Sequence, residues 1–177
     1  QGDILIDNGK IVEVAQNICV TEAQCFDAEG LTAIPGIVDA HCHIGMWEDG
    51  IDTEGADGNE ATDPVTPQLR AIDAINPADR CFEEALQGGV TTVVTGPGSA
   101  NVIGGQFVAI KTFGNCVDEM AIKAPQSLKT ALGENPKMVY SDQKRSPSTR
   151  MATAAIYRQA FIEANDYYLE RKSDELA

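Results

Sequence analysis

The chain has 177 residues, 43% of them hydrophobic and 23% charged. That is enough apolar material for one ordinary core and a small second unit, and it excludes both intrinsic disorder and a fibrous repeat. Twenty-seven acidic against thirteen basic residues leave a formal net charge of −14. Such a surface is unsuited to nucleic-acid phosphates or anionic lipid, so a small molecule or a metal ion is the expected ligand. No apolar run approaches the roughly 20 residues that cross a bilayer, and no basic segment leads into an apolar one as in a secretory signal. The chain opens on Gln1 rather than Met, inside what reads as a strand, so a trimmed N-terminus is expected. Cys19, Cys25, Cys42, Cys81 and Cys116 are odd in number and form no CxxC pair. They suit neither a disulfide framework nor a thiolate zinc cluster, and a reducing cytoplasm is the expected location.

In chain order, residues 1–14 read as a β-hairpin: two short β-type runs flank Asn8-Gly9, a strong signal for a two-residue turn. A β-like stretch follows from Cys25 to Ala33, broken at Gly30. Residues 34–43, Ile-Pro-Gly-Ile-Val-Asp-Ala-His-Cys-His, form a continuous apolar run with a polar end, which predicts a strand buried on both faces. From Gly45 to Asp63 the sequence carries seven acidic residues, no Lys or Arg, and several glycines. This is a long loop, either a lid over a site or an unstructured acidic insert. Asn76-Pro77 then predicts a helix of about three turns, with Asn76 as its cap and Gly88-Gly89 as its stop. Val90–Thr95 and Gln106–Thr112 read as strands, and the succession strand, helix, strand predicts parallel pairing. A further strand is expected at Ser127–Leu132, ended by Gly133-Glu-Asn-Pro136. A long amphipathic helix is expected from Ser146-Pro147 through Glu170, with Lys and Arg in its last turns. No internal repeat is present.

His41 and His43 are the only histidines. Two apart on a strand, they project from one face, with Cys42 on the other. Two imidazoles on one face can chelate a metal ion; satisfaction by backbone groups at a strand end is the structural alternative. Their position at the C-terminal end of an apolar strand favours a site, since parallel α/β folds place their sites there. Cys42 reads as a packed core thiol. Gly96-Pro97-Gly98-Ser99 follows a strand but lacks the extra glycine and the helix directly behind it that a phosphate cradle needs.

The run Ile34-Pro-Gly-Ile-Val-Asp-Ala-His-Cys-His43 resembles the signature of the amidohydrolase superfamily. The hairpin around Asn8-Gly9 is similar to that family's opening sandwich strands, and Gly89-Val-Thr-Thr-Val-Val94 to its second barrel strand. Asp57–Thr66, Gly96–Ser99 and Ala131–Lys137 resemble the imidazolonepropionase-related branch. The resemblance implies an α/β fold, in which residues 1–33 are part of a small β-sandwich and residues 34–177 are roughly the first half of a TIM (β/α)8 barrel. A complete barrel takes about 250 residues, so the chain is expected to be the front half of a longer enzyme. The resemblance further implies that His41 and His43 bind a catalytic divalent metal, one or two ions, foremost zinc, with manganese, iron or nickel also suited to such ligands. Its remaining ligands are an acidic residue or carboxylated lysine near strand 4, two further histidines and an aspartate. Glu134 is the expected third ligand here, with carboxylated Lys129 or Lys111 as alternatives. Asn59, Glu60 and Asp63 in the acidic loop are candidate substrate contacts, or else solvated loop residues. The implied reaction is hydrolysis of a C–N bond by a metal-activated water, the general base lying outside this sequence and the chain alone being inactive. The rival expectation is a non-catalytic metal-binding or assembly module. Open strand edges imply pairing, as a homo-oligomer or with a complementing chain that carries the C-terminal half.

Overall fold

The computed structural model describes residues 2–175; Gln1 and residues 176–177, the outermost positions of the two expected domains, lie outside the described residues. The chain divides into two compact units, one through Pro35 and one from Gly36.

In the first unit, β1 (Asp3–Asp7) and β2 (Lys10–Ala15) form the expected antiparallel hairpin. Asp7 lies opposite Lys10, so the turn is Asn8-Gly9, with φ of 48° and 73°. Positive φ at both central residues is what a type I′ turn requires, and Asn-Gly is the pair that adopts it most readily. The Asp3 carboxylate accepts the Ile18 N–H at 2.9 Å and ties down the chain after β2. The expected strand at Cys25–Ala33 is instead exposed coil. A turn closed by the Leu31 N–H on the Ala28 carbonyl, with Gly30 at φ 78°, interrupts the run before it is long enough to pair.

The second unit is built on a four-stranded sheet in the order β3 (Ile37–Cys42), β4 (Val90–Thr95), β5 (Ile103–Lys111), β6 (Ala121–Thr130). Strands β3 and β4 are parallel and are connected through helix α1 (Arg80–Gln87), as expected. The other two strands correct the expectation of successive parallel barrel strands: β5 runs antiparallel to β4, and β6 antiparallel to β5. The links explain this. Residues 96–102, and residues 112–120 with the short helix α2 (Val117–Met120), are too short for the crossover of about a dozen residues that parallel strands need. Strand β6 also begins before the expected Ser127 and ends at Thr130. Pro125 is tolerated within it because β6 is an edge strand, and the register with β5 is irregular between Phe107 and Ala109.

Helix α1 starts at Arg80 rather than after Asn76. Asp79 is its cap, accepting the Cys81 N–H at 3.1 Å, whereas Asn76 accepts the Ala78 N–H at 3.0 Å and closes a separate turn ahead of it. The segment 133–136, expected as a turn, opens helix α3 (Glu134–Asp142). The long helix, α4 (Arg150–Asp174), begins at Thr149, whose hydroxyl accepts the Ala152 N–H at 3.1 Å. Among the described residues no helix is long and apolar enough to cross a membrane.

One face of the sheet carries the core: Val93, Val108 and Ile110 pack with Phe82 of α1, Met120 of α2, and Met46 and Ile75 from the preceding loops. Strand β3, expected to be buried on both faces, exposes 48% of Ile37 and 62% of Val38. It is the other edge of the sheet, with β4 as its one neighbour there.

The acidic loop is ordered by contacts outside itself. Asn101 Nδ2 donates to the Glu60 carbonyl at 2.7 Å and to Thr66 Oγ1 at 2.9 Å, while Tyr140 of α3 donates its hydroxyl to Asn101 Oδ1 at 2.6 Å. Burial pushes the Tyr140 phenol up to about 12, so it remains a donor. Trp47 and Ala56 form an isolated antiparallel bridge that pins the loop's two arms together.

Candidate metal centre

The parallel pairing places Cys42 beside Thr95, so the end of β3 and the end of β4 meet. The alternation of β3 turns Cys42 toward the core, where its thiol donates weakly to the Val94 carbonyl at 3.7 Å and burial pushes its pKa up. His41 and His43 lie together, as their spacing predicts, with ring centroids 5.3 Å apart in an edge-to-face arrangement.

The Nδ1 of His43 is 2.7 Å from the Gly96 carbonyl oxygen. A carbonyl only accepts, so this contact requires the proton on Nδ1 and leaves the lone pair on Nε2. Metal-binding histidines are oriented by this kind of bond. His41 accepts no comparable backbone clamp; its main-chain N–H donates to the Asp39 carboxylate at 3.0 Å. Its imidazole pKa is held below the ordinary value by partial removal from water, then by the charges of Lys129 and His43, with Asp39 opposing. The neutral form, the one that binds a metal, is thereby favoured.

Two further residues complete this face: Phe107, which sequence reasoning passed over, and Lys129, which it offers as an alternative ligand. Phe107 of β5 stands with its ring centroid 5.2 Å from that of His41 and 6.2 Å from that of His43. Lys129 of β6, 8% exposed, holds its Nζ 5.7 Å from the centre of the same ring, and burial lowers its pKa. A cavity of about 200 Å³ opens here, lined by Ala40, His41, Val94, Phe107, Lys129 and Thr130 among others. All four strands contribute to it. On the other side of the pair, the Trp47 ring lies 5.4 Å from that of His43. Trp47 is seated on Gly58, where a side chain would overlap the indole.

Glu134 is not part of this group. It is exposed in the first turn of α3, beyond the end of β6, so it does not occupy the strand end expected of it. Lys111 does end a strand, but β5 runs antiparallel and Lys111 lies opposite Thr92, toward the start of β4, where its Nζ donates to the Thr92 hydroxyl at 3.0 Å. Lys129 is therefore the one of the three alternatives that reaches the histidine face. Among the described residues, no three His, Cys, Asp or Glu side chains gather as a metal-holding group.

The side chains of Asn59, Glu60 and Asp63 are engaged locally. Asn59 Oδ1 accepts the Ala100 N–H at 3.1 Å, Glu60 accepts the Thr62 hydroxyl at 2.6 Å, and Asp63 accepts the Val65 N–H at 2.8 Å. Gly96–Ser99 spends its backbone in the same way: Gly96 on His43, and the Gly98 N–H on the Gly58 carbonyl at 2.8 Å.

No family model matches the chain. It is 47% identical to an amidohydrolase of known structure from Thermotoga maritima, with a TM-score of 0.90 over 96% of this chain and 44% of that one. Amidohydrolase tasK of Hapsidospora irregularis is 35% identical over 98% of this chain and 19% of its own length. A dihydroorotase of Aquifex aeolicus is 35% identical over 54% of this chain and 17% of its own. These likenesses support the amidohydrolase superfamily as the class of this chain, in agreement with the resemblance of residues 34–43. The chain spans less than half the length of each of these relatives.

Proposed function

We propose that this chain carries the metal-binding front of an amidohydrolase that hydrolyses a C–N bond of an amide, cyclic amide or amidine. The observation that carries this reading is the His43 to Gly96 bond, which presents Nε2 as a ligand next to a second, neutral-leaning imidazole. His41 and His43 would hold the ion, foremost zinc, and Lys129 supplies the third position in preference to Glu134. The amine of Lys129 is buried beside the pair. Addition of Nζ to carbon dioxide, with loss of a proton, would turn it into a carbamate with two oxygens able to bridge two ions. When bound, the metal lowers the pKa of a coordinated water and polarises the scissile carbonyl.

The chain's own groups hold the imidazoles in position: the Gly96 carbonyl keeps the His43 proton on Nδ1, and the sheet brings Lys129 across from His41. The general base is not among these residues, so the stretch alone is inactive and acts within a polypeptide of its relatives' length. In this reading the hairpin belongs to a small sandwich, and β3, α1 and β4 open a (β/α)8 barrel of the imidazolonepropionase-related branch. The protein works in the cytoplasm on a small-molecule substrate. The uncovered β3 edge is met by the rest of the barrel, by a complementing chain or by another copy.

The test uses a polypeptide that joins this chain to the length found in its relatives, assayed against N-acyl amino acids, dipeptides and cyclic amides. Hydrolysis is expected to disappear on chelation and to return with zinc. Full activity in the metal-stripped protein would overturn the proposal.

A further inference from the structure

We infer that Phe107 is a positioning residue of this centre, its ring setting the aim of His41, His43 and Lys129 toward one shared ion. The inference rests on the metal-binding reading above and adds to it a residue that binds nothing itself. Phe107 is 4% exposed, yet it does not belong to the main core: Val108 and Ile110 turn to that face, and Phe107 alternates to the other. There its ring meets every candidate donor. The His41 and His43 rings tilt against it by 48° and 55°, and the Lys129 Nζ stands over it. It also packs on Gly96, where an added Cβ would fall 2.3 to 2.6 Å from three ring carbons. Gly96 is the residue whose carbonyl orients His43.

The physical reason for a ring at this place is stiffness. A phenyl group has few side-chain torsions and a flat face, so three neighbours from the end of β3 and from β6 share one rigid wall. The same face bounds the Lys129 side chain, whose Nζ stands 5.7 Å from the ring centre. A flexible aliphatic chain of similar bulk would fill the space without fixing the torsions of the imidazoles or of the lysine. Preorganisation of ligands by such neighbours is what governs metal affinity beyond ligand identity.

The experiment is titration of the full chain with cobalt(II), read by visible absorption, for the parent protein, Phe107→Met and Phe107→Tyr, with His41→Ala as control. The parent is expected to bind cobalt with ligand-field bands of a protein-ligated site, and His41→Ala to lose them. Phe107→Met is expected to bind about 10–100-fold more weakly and to show shifted or weakened bands at saturation, while far-ultraviolet circular dichroism stays that of the parent. Phe107→Tyr, which keeps the ring, is expected to match the parent in both. A structural role alone would move the melting temperature and leave the saturated spectrum unchanged. Parent-like affinity and bands in Phe107→Met overturn the inference and leave the metal reading intact. Absence of cobalt binding by the parent overturns both. If Phe107→Met does not fold, Phe107→Tyr decides: parent-like bands support the role of the ring, and their loss overturns it.

Discussion

Replacement of His43 by alanine is expected to lower this chain's divalent-metal affinity by more than the roughly 10–100-fold that changes to supporting residues cost, and to remove hydrolysis in the polypeptide of its relatives' length. The chain has only two histidines, so no third imidazole stands ready to substitute. Of the two, His43 is the better prepared, because its Nδ1 proton is committed to Gly96 and its Nε2 is the sole free ring nitrogen. The fold should survive. The ring is half-buried, and the one bond lost leaves the carbonyl of buried Gly96 without its partner, a cost of about 1–3 kcal/mol. Calorimetric titration with zinc, together with a urea melt of the variant, separates the two effects. Parent-like zinc binding in His43→Ala would remove His43 from the site.

Phe82→Ala is expected to destabilise the protein by about 3–5 kcal/mol, the range for a fully buried phenylalanine. Helix α1 buries a single side chain completely, and that is Phe82. Its ring meets Ile75, Met46 and the sheet residues of the core, and lies so close to Gly45 that a Cβ there would come within 2.9 Å of it. Gly45, at φ 84°, is the residue that lets the chain turn under the ring directly after the histidine strand. The truncation therefore leaves a cavity beneath α1, the connection that holds β3 parallel to β4. Since a domain of this kind is stable by only about 5–15 kcal/mol, a large part of the margin is lost. The check is the urea midpoint at constant slope. A shift worth under about 1 kcal/mol would show that α1 is not anchored through Phe82.

Some of this arrangement was legible in the residues. Asn8-Gly9 announced its hairpin because few residue pairs accept two positive φ angles in succession. The β3, α1, β4 unit was readable because its helix has a glycine stop and feeds a β-branched run without a gap. The antiparallel direction of β5 and β6 departs from the family pattern, and the link that dictates it, residues 96–102, is seen to be short only once β5 begins at Ile103 rather than at Gln106. The cap of α1 is ambiguous in sequence because Asn76 and Asp79 are both good caps; Asp79 takes the Cys81 N–H and Asn76 closes the turn before it.

Within the site, the His41–His43 pair followed from period-two geometry alone. Phe107 was invisible because an aromatic in a β-run reads as core whichever face it takes. Lys129 was named only as an alternative, since its burial depends on the pairing of β6 with β5, opposite Gly105, and no local pattern encodes a register. Glu134 was preferred over it because the strand was expected to continue to Leu132, whereas it ends at Thr130 and Glu134 starts a helix.

The central claim, that His41, His43 and Lys129 face one metal ion, is tested most directly by anomalous diffraction at the zinc edge from crystals of the protein grown with zinc. A peak is expected about 2.0–2.1 Å from Nε2 of His43 and from a ring nitrogen of His41, with the side chain of Lys129 as the next ligand and the bond from His43 to Gly96 intact. A peak on Glu134 and away from Lys129, or no peak at the histidine pair, would contradict it.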